Sequence, residues 1–237
     1  MDERNYNVVE GFNTIAPAYD LANDAMTAGL HRFWRKRLCE RAVKGLPRGA
    51  KVLDVATGTG DVAFELCELR SDLEVIAADP AEGMLAQARR KFETKRSNRL
   101  KKIVFERGDG RQLPYPDNSF DAVTICWGIR NIKPFDQALQ EMLRVAKPGA
   151  GIHILESGKP EYRAVKLFYR YYSRLLPLIG DRISHFKPAY QYYTRSVEEF
   201  PSGSLFVARL HEAGFLKPRY EALAGGIVYL YSGFKRP

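Results

Sequence analysis

Cysteine is scarce in this 237-residue sequence: Cys39, Cys67 and Cys126 are an odd number, widely spaced, with no C-x-x-C pair. That spacing excludes a zinc knuckle and a dithiol redox motif, and it predicts reduced thiols in a cytoplasmic protein with no metal site. Long apolar runs are missing too. No stretch approaches the roughly 20 consecutive apolar residues that cross a bilayer. The opening Met1-Asp2-Glu3-Arg4-Asn5-Tyr6 lacks the apolar centre of a secretory signal. Internal repeats and low-complexity tracts are absent. Acids are in the minority, 28 Asp and Glu against 37 Lys and Arg, for a formal net charge of +9. Such a charge permits RNA, a phospholipid surface or an acidic substrate as partner, and chooses none of them.

What is present reads as one domain, residues 1–237, with a hydrophobic fraction of 45% that can bury an ordinary core. From 51 to 156, short apolar runs alternate with amphipathic stretches, the pattern of βαβ units. The expected strands are 51–56, 74–78, 102–106, 120–126 and 151–156. Between them Val62, Leu66 and Leu69 share a helical face, as do Met84, Leu85, Ala88 and Phe92. A third face, Ala138, Leu139, Met142 and Leu143, ends at the helix stop Lys147-Pro148-Gly149. The fold class expected is α/β: a Rossmann-like, mostly parallel, doubly wound sheet. A helical cap over 1–48, patterned around Leu30, Phe33, Trp34 and Leu38, precedes it. Residues 220–231, interrupted by Ala224-Gly225-Gly226, read as a closing antiparallel hairpin.

Asp54-Val55-Ala56-Thr57-Gly58-Thr59-Gly60-Asp61 joins the first strand to its helix. Its glycines also satisfy a loose G-x-G-x-x-A, so a dinucleotide site must be weighed. A pyrophosphate wants the bare positive end of a helix. Here Asp61 stands in that first turn and Asp54 ends the strand before it, which disfavours phosphate. It suits S-adenosylmethionine, whose ammonium and sulfonium are positive, with Gly58 and Gly60 allowing close backbone approach. Asp79, about 20 residues further on, is placed to accept from both ribose hydroxyls. Asp109-Gly110 after the third strand is placed for the adenine amino group. Singly, Asp61 also reads as a helix cap, Asp79 as a turn residue and Asp109 as a solvated acid; in order, the acids at the ends of successive strands converge on one crevice.

The ordered motifs resemble class I methyltransferases, and over nearly the whole chain the sequence is similar to the quinone-biosynthesis C-methyltransferases of the UbiE/MenG family. Tyr19-Asp20-Leu21-Ala22-Asn23-Asp24 with His31-Arg32-Phe33-Trp34 matches Y-D-x-M-N…H-x-x-W, and Gly128-Ile129-Arg130-Asn131 matches G-[LI]-R-N. Arg144-Val145-Ala146-Lys147-Pro148-Gly149 leading to Leu155-Glu156-Ser157-Gly158-Lys159-Pro160 resembles R-V-L-K-P-G…L-E-x-S-K-P, and 190–201 resembles Y-x-Y-L-x-x-S…F-P. Ala22, Thr27, Ala146, Gly158 and Cys126 depart from the usual Met, Ser, Leu, Ser and Ser. The resemblance implies a seven-stranded sheet and S-adenosylmethionine contacts at Thr59, Asp79, Asp109, Gly110 and Cys126. It also implies a polyprenylated quinol methylated at ring carbon, demethylmenaquinol first and a ubiquinone precursor second.

For that chemistry the expected catalytic set is Arg130 and Asn131, holding the quinol oxygens, with Tyr19 and His31 closing over them and His31 as a base. Against these stand a surface ion pair for Arg130, a turn residue for Asn131 and a helix-surface histidine beside Trp34 for His31. His153, between Ile152 and Ile154, reads as structural. The segment 158–201 interleaves Lys159, Arg163, Lys166, Arg170, Arg174, Arg182, Lys187 and Arg195 with tyrosines and phenylalanines. It is expected to face substrate and, as a cationic amphipathic stretch, an anionic membrane surface, or else to pack as an ordinary helix. The rival readings are O- or N-methylation of another small molecule, an RNA methyltransferase, and a cofactor-binding protein without catalysis. No RNA module or asparagine-proline tetrad is present, so no nucleic-acid partner is expected; a homodimer stays open.

Overall fold

The computed structural model describes residues 7–95, 100, 102–160, 165–167, 169 and 187–237, the side chains of residues 187 and 190 excepted. Most of the aromatic and basic positions of the 158–201 segment lie outside the described residues.

Five parallel strands come first: β1 (Lys51–Val55), β2 (Glu74–Asp79), β3 (Ile103–Arg107), β4 (Phe120–Cys126) and β5 (Ala146–Ser157). Two antiparallel strands, β6 (Leu216–Leu223) and β7 (Val228–Phe234), complete a sheet of order β3-β2-β1-β4-β5-β7-β6. β1 and β4 are buried along nearly their whole length and on both faces, as a sheet covered by helices on either side requires.

Three N-terminal helices, α1 (Val8–Ile15), α2 (Tyr19–Thr27) and α3 (Leu30–Ala42), lead into β1. The crossover helices are α4 (Asp61–Leu69), α5 (Glu82–Lys95) and α6 (Phe135–Val145); α7 (Lys187–Glu199) and α8 (Ser204–Glu212) precede the hairpin. The expected faces of the crossover helices pack inward through Val62 and Leu66, Met84, Leu85 and Ala88, and Ala138, Leu139 and Met142. One core cluster lies on the α6 and α8 side of the sheet and another on the α3 and α4 side. A third, built on Ile15, Ala16, Ala22 and Met84, sits beneath α1 and α2.

Two local expectations are corrected. Lys147-Pro148-Gly149 does not end α6, which stops at Val145; β5 already starts at Ala146. The triplet bulges out within that strand, where the register jumps from Phe120↔Ala146 to Ala122↔Gly151. Proline has no N–H to give a ladder and is tolerated at such a bulge. In α3, Trp34 and Leu38 point inward as expected, whereas Leu30 and Phe33 are exposed. Among the described residues, no helix is long and apolar enough to cross a membrane, and no group of His, Cys, Asp or Glu could hold a metal ion.

Candidate active site

The strand order reverses on either side of β1 and β4, and the crevice beyond their carboxyl ends is where an open parallel sheet binds ligands. A cavity of about 410 Å³ occupies it, walled by Gly58, Asp79, Asp109, Gly110 and Cys126 and covered by α1 through Val8, Val9 and Phe12. Asp79 ends β2. Its Oδ2 accepts from Gly58 N and its Oδ1 from Ala81 N, both at 2.8 Å, which fixes the carboxyl at the cavity edge. Burial pushes it up to about 6, against those two N–H groups. Gly58 has φ +57°, with open space where a Cβ would project, so the loop backbone faces the cavity bare. Asp109 is pinned by Arg111 at 2.6 Å, a hydrogen bond that holds its carboxyl below the usual range. Cys126 ends β4, and burial pushes its thiol well up, so it is neutral there. Acids at two strand ends, exposed loop backbone, and the aliphatic Met84 and Ile132 between them fit a ribose, an adenine and a cationic tail.

Three expected cofactor residues line neither this cavity nor its neighbour. Asp54 is fully buried beneath the loop; its Oδ1 accepts from Thr124 Oγ1 at 2.8 Å, its Oδ2 has no hydrogen-bond partner among the described residues, and burial pushes it up to about 7. Thr59 turns away from the crevice and donates to Asp20 of α2 at 2.7 Å. Gly60 is required by packing rather than by ligand approach: a Cβ there would meet Phe105 at 3.0 Å, Ala88 at 3.1 Å and Phe64 at 3.2 Å. The electrostatic role given to Asp61 also changes. It forms ion pairs with Arg35, at 2.9 Å, and with Lys91, and these overcome its burial and hold it below the usual carboxylate range. The helix end is therefore already neutralised from the protein side, and the acids that line the cavity are Asp79 and Asp109. Lys91 also donates to Asp20 at 2.8 Å, so Asp20, Thr59, Lys91 and Asp61 tie the N-terminal cap to the cofactor loop.

A second cavity of about 500 Å³ lies between α2, α3, α7 and the turn Ile129–Asn131. Its wall is largely apolar, with Ile15, Ala22, Met26, Trp34 and Val228. It brings together Tyr19, His31, Arg130 and Asn131, and it shares Phe12, Tyr19, Trp127, Asn131 and Tyr192 with the first cavity. Arg130 is buried. Its Nη1 donates to Glu156 at 2.6 Å and to Trp127 O at 3.0 Å, its Nε donates to Ser196, and the guanidinium lies 4.9 Å from the Tyr193 ring. Its Nη2 makes no hydrogen bond among the described residues. Asn131 Nδ2 donates to Trp127 O at 3.2 Å, which fixes the amide orientation; its buried Oδ1 has no partner among the described residues. Burial pushes the Tyr19 phenol up to about 12, so it stays protonated. His31 is buried rather than on the surface, with Nδ1 2.8 Å from Thr27 Oγ1, and burial lowers its pKa and keeps the ring neutral.

Reasoning from sequence passed over Glu156, which anchors Arg130, and Trp127, whose carbonyl receives both Arg130 and Asn131. It passed over Lys91 and Arg35 as well. Glu156 had a signal, since it stands in the quoted Leu155-Glu156-Ser157 motif; Lys91 and Arg35 had none, because their partners are distant in sequence. His153 is buried in the sheet, 3.0 Å from Ser232 Oγ, and burial pushes it down to about 4, a structural histidine.

Residues 1–235 match the model of the ubiE/COQ5 methyltransferase family. A ubiquinone/menaquinone biosynthesis C-methyltransferase of Rickettsia akari is 40% identical over 94% of this chain and 90% of its own length. A demethylmenaquinone methyltransferase of Thermus thermophilus is 42% identical over 94% of this chain and 98% of its own length. Among solved structures, an S-adenosylmethionine-dependent methyltransferase from Aquifex aeolicus shares the fold, with a TM-score of 0.58 at 23% identity over 83% of this chain and 88% of that one. With similarity of this degree running almost end to end, the chain belongs to the ubiE/COQ5 methyltransferase family and is an S-adenosylmethionine-dependent methyltransferase.

Proposed function

We propose that the protein methylates a ring carbon of a polyprenyl quinol, with demethylmenaquinol as its acceptor, working in the cytoplasm at the inner face of the membrane. The observation that carries this reading is Asn131 Oδ1, a buried acceptor without a partner among the described residues, where the two cavities meet. A buried acceptor left unpaired costs about 1–3 kcal/mol, and a quinol hydroxyl supplies the missing donor. Arg130 Nη2, on the same wall, donates to the ring oxygen. S-adenosylmethionine, held at Asp79, Gly58 and Asp109, supplies an electrophilic methyl on a sulfonium.

The acceptor carbon becomes nucleophilic as the hydroxyl gives up its proton. Free phenols titrate near pH 10, and an adjacent cation lowers that value. Arg130 stabilises the developing oxyanion from a buried, preorganised position. His31, neutral at physiological pH, can take the proton, whereas Tyr19 remains a donor. As the methyl passes to the ring carbon the sulfonium would become a neutral thioether, and that carbon's own hydrogen then leaves as a proton to restore the aromatic ring. Trp127 and Tyr192 hold the two reactants face to face, and such positioning supplies much of the acceleration.

The test is methyl transfer from labelled S-adenosylmethionine to reduced demethylmenaquinone in liposomes, beside a methoxy-benzoquinol acceptor. A new carbon-bound methyl on the naphthoquinol is the expected product. Methylation of the benzoquinol alone would move the protein to ubiquinone synthesis, and no product from either would overturn the quinol reading.

A further inference from the structure

Seven large apolar side chains among the described residues are exposed. Val104, Leu167, Leu205 and Tyr220 are scattered singly, as on any surface. The other three, Leu21, Leu30 and Phe33, are 65%, 55% and 60% exposed, and all belong to the corner between α2 and α3. Leu21 and Ala25 stand one turn apart on the outer side of α2, Ala28 ends it, and Leu30 and Phe33 follow one turn apart on α3. Ala25, Ala28 and Leu30 are exposed and also line the second cavity, so that cavity opens to the outside through the apolar strip.

We infer that this corner is a membrane-docking surface: the strip enters the interface of an anionic phospholipid leaflet and sets the mouth of the second cavity against the acyl chains. Charge complements the apolar side chains. α3 carries Arg32, Arg35, Lys36, Arg37 and Arg41 against Glu40 alone. Two of its ion pairs leave the cation the more exposed member, Arg32 at 65% against Asp24 at 33% and Arg37 at 43% against Glu221 at 28%, whereas Arg41 matches Glu221 and Arg35 is the more buried partner of Asp61. A helix with protruding Leu and Phe flanked by such cations is bound by apolar insertion together with attraction to anionic headgroups. The inference deepens the quinol reading and rests on it for the use of the cavity. A prenyl tail too apolar for water then passes from the acyl layer into the cavity without crossing solvent.

Vesicle co-sedimentation without any quinol separates the two readings. The full-length protein is expected to sediment with phosphatidylcholine–phosphatidylglycerol vesicles, weakly with phosphatidylcholine alone, and less as salt rises. Leu21→Glu with Phe33→Glu, both side chains outside the two cavities, is expected to weaken that binding at least about tenfold. The same variant should keep wild-type S-adenosylmethionine affinity and wild-type turnover of a quinol with a short, water-soluble side chain, while losing turnover of the long-chain quinol in vesicles. Equal sedimentation of variant and wild type, or none by wild type, overturns the docking surface. A wild-type dimer that the substitutions split, without vesicle binding, assigns the strip to a second copy of the chain and overturns it too. Vesicle binding with no turnover of any quinol leaves the docking surface standing and removes the quinol reading.

Discussion

Asp54 and Asp79 stand at the ends of neighbouring strands and do different work. Asp79 keeps both oxygens on backbone N–H groups at the cavity edge, so its ionised form is the one a ribose needs. S-adenosylmethionine affinity should therefore weaken as pH falls through about 6, and Asp79→Asn should weaken it by about tenfold or more while removing most of that pH dependence, read by calorimetry. Asp54 is sealed under the loop. Its folded pKa, near 7, lies above the unfolded value, so the folded state binds the proton more tightly and stability is lost as pH rises from about 4 to about 7. Asp54→Asn removes this term. The stability of the variant relative to wild type should rise by about 3 kcal/mol between about pH 5 and pH 8; parallel denaturation curves would sink the assignment. At the junction of the cavities, Asn131→Ala should lower kcat by about tenfold to a thousandfold with S-adenosylmethionine binding intact. Arg130→Ala is a poorer probe, since it leaves Glu156 buried without its cation, at a cost of about 3–5 kcal/mol.

Among the elements, α2 covers the cofactor loop through Asp20, which meets both Thr59 and Lys91. Asp20 and Lys91 are partly exposed, so the tie is modest. Asp20→Asn should free α1 and α2 by about 1 kcal/mol, seen as roughly fivefold faster amide exchange over 8–27 with the sheet unchanged. The strands were legible in sequence because a parallel sheet buries both faces and writes short, largely apolar runs. The order of the acids was legible for the same reason, since each follows such a run. Which acids reach the ligand was not. Asp54 and Asp79 have the same local sequence logic, and only the way the loop folds over β1 separates them. The α3 face was misread because Leu30 and Phe33 sit at helical spacing with Trp34 and Leu38, and periodicity alone does not tell an apolar side chain facing the core from one facing outward. Lys147-Pro148-Gly149 carried a good helix-stop signal, yet the chain used it two residues later, as a bulge.

For the molecule as a whole, the two cavities share one wall, and the cap that closes the first also forms the mouth of the second. S-adenosylmethionine binds the folded state and should stabilise it by mass action. At about a hundred times its Kd the gain is about 2.7 kcal/mol, or roughly 5–10 °C in Tm for a chain of this size. Asp79→Asn, with affinity about tenfold weaker, should lose about half of that shift at the same concentration, measured by scanning calorimetry.

The sheet order has a consequence for how the protein is made. β7 comes last among the strands yet lies between β5 and β6, and β6 joins the sheet through β7 alone. On the ribosome, the edge of β5 therefore stays open, and β6 waits without a partner, until residues 228–234 have left the exit tunnel. Throughout that interval the nascent chain offers a bare strand edge and the apolar side chains of Phe206 and Phe215 to any neighbour. Its need for chaperones should last until β7 has emerged and paired with both neighbours.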